Sequence, residues 1–162
     1  MLGALMYASK LLMDLLPNIH LIGVLIVSTT IVYRKKALYP LYVFVFLTGL
    51  FNGFATWWLP YLYIWTVLWG FTMLIPKRLE GRKLAVTAAI VCSLHGFLYG
   101  TLYAPAQAIL FGLDFRGMLT WIAAGLTFDA IHGVSNLVSG FLILPIVRVL
   151  RQSEKYVRNY GS

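Results

Sequence analysis

The chain has 162 residues, 60% of them hydrophobic and only 11% charged, with a formal net charge of +8. A soluble domain carries about 25% charged residues, so this composition excludes an ordinary soluble globule and points to an all-α integral membrane protein. The single cysteine, Cys92, excludes an internal disulfide and a cysteine-built metal site, and its apolar surroundings predict a small buried residue.

The apolar runs predict a compact bundle of six transmembrane helices in one domain over residues 1–162, without linker or internal repeat. The first helix is expected over Leu2–Leu16, ended by Pro17. It carries Lys10 and Asp14 one turn apart, either an internal ion pair or a contact for substrate or partner. That pair and the lack of a basic leader argue against a cleavable signal peptide. The second helix is expected over Ile19–Tyr33 and the third over Ala37–Phe54, with Pro40 tolerated in its first turn. An aromatic segment, Ala55–Pro60, leads into a fourth helix over Tyr61–Ile75, and the fifth runs over Leu84–Tyr103. Residues Ala104–Gly125, broken by proline and glycine, predict a partly helical cover at the membrane surface. The sixth helix is expected over Thr127–Val147, with Thr127 as its N-cap and Asp129 at the positive end of its dipole.

Charge sets the orientation. Arg34, Lys35 and Lys36 follow helix two; Lys77, Arg78, Arg82 and Lys83 follow helix four; Arg148, Arg151, Lys155 and Arg158 follow helix six. These are 11 of the 13 basic residues, all on one side of a six-span bundle. The positive-inside rule makes that side, and both termini, cytoplasmic. The net charge is then a topology signal, with no basic stripe of the kind that binds nucleic acid.

Ionisable residues inside a membrane are costly and mark functional candidates. The stretch TFDAIHGVSN, Thr127–Asn136, places Asp129, His132 and Asn136 on one helix face. Such a stripe either bonds neighbouring helices or lines a ligand pocket open to the outside. Trp57, Trp58 and Trp65, with Tyr61 and Tyr63, form an aromatic belt at the same level and offer rings for stacking. His95 lies in the same layer, either as a bonded structural group or, with His132, as a haem ligand pair. Small-residue pairs, Ala4 with Ala8, Gly49 with Gly53 and Gly96 with Gly100, permit close helix approach. P-loop, GxSxG and HExxH motifs are missing, so neither ATP hydrolysis nor enzymatic catalysis is expected, and no cofactor is called for.

Six spans in so short a chain, ALMYA in the first helix, a long cover before the sixth, and TFDAIHGVSN followed by LILPIVRVL resemble the substrate-binding S components of energy-coupling factor vitamin transporters. The likeness implies a subunit of a bacterial plasma-membrane importer that captures a vitamin or precursor at the outer face. It implies a transmembrane coupling subunit, docked at Ala4 and Ala8, and two ATPase subunits as partners. Substrate contacts would fall to Asp129, His132, Asn136, His95, Trp57, Trp58 and Trp65. A six-helix membrane scaffold without a small-molecule ligand, and a bis-histidine haem subunit, are the alternatives.

Overall fold

The computed structural model describes residues 1–13 and 21–160. Among these the fold is all-helical, with no strand. Eight α-helices follow one another: α1 (Leu2–Met13), α2 (Ile22–Tyr33), α3 (Leu38–Asn52), α4 (Tyr61–Met73), α5 (Gly81–Phe97), α6 (Tyr99–Phe111), α7 (Phe115–Ser139) and α8 (Ile143–Tyr160). Asp14 and the Pro17–Asn18 turn lie outside the described residues.

The expected fifth and sixth helices are each longer than the sequence reading allowed, and each is bent. Helices α5 and α6 join at Leu98 into one apolar rod, Gly81–Phe111; α7 and α8 join through a 3-10 turn, Gly140–Leu142, into a second, Phe115–Asn159. Both rods are long and apolar enough to cross a membrane. The second bend has a local cause. Pro145 has no N–H for the Phe141 carbonyl, and its ring crowds that carbonyl, so the backbone tightens just before it.

The surface cover expected over residues 104–125 is instead a helical hairpin, formed by the end of α6 and the start of α7. Pro105 is accommodated inside α6 at the loss of one backbone bond. Gly112, left-handed at φ 64°, terminates α6 as glycine does at helix ends. Asp114 then caps α7, its carboxylate accepting from the Gly117 N–H at 2.7 Å. Thr127, expected as an N-cap, therefore sits in the interior of α7, and Asp129 is far from that helix's own N-terminus.

Helix α2 is apolar on all sides and most of its length is buried, as suits a central helix. Two of its three serine and threonine hydroxyls bond within the helix: Thr29 and Thr30 donate to the Leu25 and Ile26 carbonyls at 2.7 Å. One apolar core surrounds it, built from Met6, Phe44, Val45, Trp65, Leu68, Leu84, Cys92, Ile143 and Val147 among others. Cys92 is fully buried. Helices α5 and α7 form the most extensive helix pair. A Cβ added at Gly96 would stand 2.9 Å from both the N and Cα of Gly133, so the two backbones touch there.

The basic clusters converge at one end of the bundle. Arg34, Lys77 and Arg151 wall a common recess with Glu154, and Arg151 lies 3.8 Å from Glu80. Gly3 seats α1 on Pro40 and Val43 near the start of α3, which brings the N-terminus to the same end. Arg34 organises this end. Its guanidinium donates to the Met73 carbonyl at 2.6 Å and the Ile75 carbonyl at 3.3 Å, and its own carbonyl accepts from the Trp69 indole at 3.1 Å. It thus closes the C-terminus of α4, from a backbone held at φ 52°. Arg34→Ala is expected to cost about 2 kcal/mol, seen as a fall of several degrees in Tm in detergent. Arg34→Lys is expected to recover only part of this, because an ammonium lacks the planar fork that spans two carbonyls.

Candidate functional site

At the end opposite the basic clusters, α4, α6 and α7 line a half-open cavity of about 450 Å3. Each helix contributes side chains at helical spacing. Helix α4 brings Tyr61 and Trp65; α6 brings Tyr99, Tyr103 and Gln107; α7 brings Trp121, Phe128, Asp129 and His132. Gly100 and Gly125 complete the wall and leave it room. A volume of this size lies within the usual range for small-molecule sites, about 300–1,000 Å3.

The walls are aromatic and mutually braced. Tyr61 meets Trp65 edge-on at 5.7 Å, Trp65 contacts Tyr99 at 5.8 Å, and Tyr103 stacks on Trp121 at 5.7 Å with only 18° between their planes. The Tyr63 and Tyr103 hydroxyls donate to the backbone carbonyls of Leu102 and Trp57, fixing α6 against α4 and the aromatic segment. Trp65 is buried, and its indole N–H has no protein partner. A buried donor left in this state costs about 1–3 kcal/mol, which a water or a ligand acceptor at the cavity would relieve.

The polar stripe of α7 faces inward as its spacing predicts: Asp129, His132, Gly133 and Asn136 are the buried residues of that helix. The three polar members have different environments. Both Asp129 carboxylate oxygens accept from the Gly100 N–H, at 2.9 and 3.0 Å. Asp129 therefore caps the N-terminus of α6, a neighbouring helix, while also lining the cavity. Glycine is required at position 100 for this approach, since a Cβ there would lie 2.6 Å from an Asp129 oxygen. The His132 ring packs at 5.0 Å on Tyr99 and also lines the cavity. Asn136 lies below the cavity and is not on its wall. Its amide donates to the Cys92 carbonyl at 3.2 Å, tying α7 to α5.

The remaining candidates divide likewise. Trp65 is on the cavity wall. Trp57 abuts it, its ring edge-on to Tyr61 at 5.7 Å, without lining it. Trp58 turns toward α3, where its indole donates to the Val45 carbonyl at 2.8 Å. His95 is buried behind Trp65 and Tyr99, outside the cavity, with Nε2 3.0 Å from the Ile64 carbonyl. A carbonyl only accepts, so Nε2 carries the proton. Tyr99 contacts both His95 and His132, and Nδ1 of His95 is buried without a hydrogen-bond partner. Among the described residues no group of three or more His, Cys, Asp or Glu is arranged to hold a metal ion. Ala4 and Ala8 are exposed on the outward face of α1.

Tyr99, Tyr103, Gln107, Trp121 and Phe128 were not expected at the site: Gln107 and Trp121 fall in residues 104–125, which read as a surface cover, and Tyr99, Tyr103 and Phe128 fall on the expected fifth and sixth helices without being singled out. The signal was present: Tyr99, Tyr103 and Gln107 recur every fourth residue, and Trp121 stands two turns before Asp129 on the same helix face.

Asp129→Ala is expected to leave the Gly100 N–H unpaired and lower stability by about 1–3 kcal/mol. Asp129→Asn, which keeps one acceptor, should lose less; thermal unfolding of the two variants side by side reads the difference.

No protein-family model, no curated protein and no solved structure matches the chain.

Proposed function

We propose that this chain is the membrane-embedded substrate-binding component of an energy-coupling factor importer in the bacterial plasma membrane. In this reading six spans hold the aromatic cavity at the outer face and the basic end in the cytoplasm. The single observation that carries the reading is the cavity itself: about 450 Å3, walled by Tyr61, Trp65, Tyr99, Tyr103, Trp121 and Phe128, with Asp129, His132 and Gln107 among them. Large apolar side chains exposed along the helices, such as Phe51, Leu74, Ile109, Val138 and Phe141, suit a lipid-facing surface better than water. The segregation of basic residues away from the cavity supports the orientation.

The protein captures a vitamin-like molecule from outside and catalyses nothing itself. A transmembrane coupling subunit, seated on the exposed Ala4–Ala8 face of α1, and two cytosolic ATPases drive inward release. Within the site, Trp65, Tyr103 and Trp121 stack on the ligand, while His132, Gln107 and Asp129 orient it. Trp57 and His95 brace the wall from behind, while Trp58 and Asn136 hold neighbouring helices in place.

The scaffold reading draws on the bonds of Asp129 and Asn136 to backbone groups of neighbouring helices. The two readings separate on one experiment. Protein purified in detergent from cells grown in rich medium is denatured, and whatever small molecule it releases is identified by mass spectrometry. One molecule released in stoichiometric amount is the expected result. A Soret band would move the case to haem, and consistently empty protein would favour the scaffold.

A further inference from the structure

We infer that the cavity accepts a neutral or cationic planar heterocycle and rejects anions, an assignment that rests on the ligand-pocket reading above. Four observations lead to it. Asp129 is the one carboxylate on the wall, His132 is the one imidazole, and among the described residues no lysine or arginine lines it. The helix N-terminus that would attract an anion, that of α6, is already filled by the Asp129 carboxylate at 2.9 and 3.0 Å from the Gly100 N–H. An incoming carboxylate or phosphate would meet a like charge, in a site partly shielded from water, with no lysine or arginine to hold it.

The other surfaces favour the opposite charge. Ring faces present the negative side of their quadrupole, and six aromatic side chains contribute to the wall. This suits a delocalised cation or a polarised neutral ring. Arg116, near the hairpin tip, is exposed and lies outside the wall. The unpartnered Trp65 indole N–H adds a further demand: the ligand carries an acceptor, such as a ring nitrogen or a carbonyl.

The test uses the full-length protein in detergent, stripped of bound ligand and offered an equimolar mixture. The mixture holds thiamine and 1-methylnicotinamide as cations, nicotinamide and riboflavin as neutral rings, and nicotinate, folate and pyridoxal 5′-phosphate as anions. Gel filtration removes unbound molecules and mass spectrometry identifies what stays; the molecule released by the protein as purified is scored for charge in the same way. Retention of neutral or cationic members, preferred about tenfold or more over the anions, is the expected result. Asp129→Asn, which keeps an acceptor for Gly100, should narrow that preference. Retention of an anion overturns the charge assignment while leaving the pocket reading intact. Protein empty from both sources overturns both.

Discussion

Gly96→Val is expected to cost about 3 kcal/mol or more, enough to remove most folded protein from a detergent extract. At Gly96, an added Cβ alone would lie 2.9 Å from two Gly133 backbone atoms and 2.8 Å from the Asn136 amide nitrogen. Backbone cannot rotate aside as a flexible side chain can, so α5 and α7 must separate. Separation would also break the bonds that cross the same interface, from Ser93 to the Gly133 carbonyl at 2.9 Å and from Asn136 to the Cys92 carbonyl at 3.2 Å. Gly70→Val is the control. A Cβ there meets nothing within 4 Å, and the variant should unfold within a few degrees of the parent. Equal losses at both positions would mean that the α5–α7 contact is not a principal constraint on the fold.

The second large effect is on binding. Gly125 lines the cavity, yet a Cβ added there meets no atom within 4 Å. Gly125→Phe therefore places a ring in the cavity without displacing a neighbour at its point of attachment. It also replaces the poorest helix former but proline in the interior of α7, which favours the helix by a few tenths of a kcal/mol. The expected outcome is unchanged or slightly raised thermal stability together with a loss of ligand affinity of about hundredfold or more. Most pocket substitutions weaken binding and folding at once. This one separates them.

Much of the architecture followed from patterning. The apolar runs located helices α1 to α4 within a few residues, and the basic clusters that the sequence assigns to one side do meet at one end. The inward face of Asp129, His132 and Asn136 followed from helical periodicity. What sequence could not supply was the partner of each group. Asp129 beside Thr127 looked like a residue at the start of its own helix. In the fold it serves the start of another, a relation set by how α7 crosses the α5–α6 junction at Gly100. Asn136 and His132 are one helical turn apart, but only His132 reaches the cavity.

The hairpin is the instructive failure. Pro105 and Gly112 read as breaks in a surface segment, yet Gly112 followed closely by Asp114 is a helix stop and a helix start. With that reading, Tyr103 and Trp121 become facing positions on paired helices, and their stack at 5.7 Å is the expected consequence.

The most direct test of the binding-component reading compares wild-type protein with Gly125→Phe, both purified from the same rich medium and denatured for mass spectrometry. The account predicts one small molecule in stoichiometric amount from wild type and none from an equally well-folded Gly125→Phe. The same molecule recovered in equal amount from both would place its site elsewhere and contradict the role assigned to the cavity.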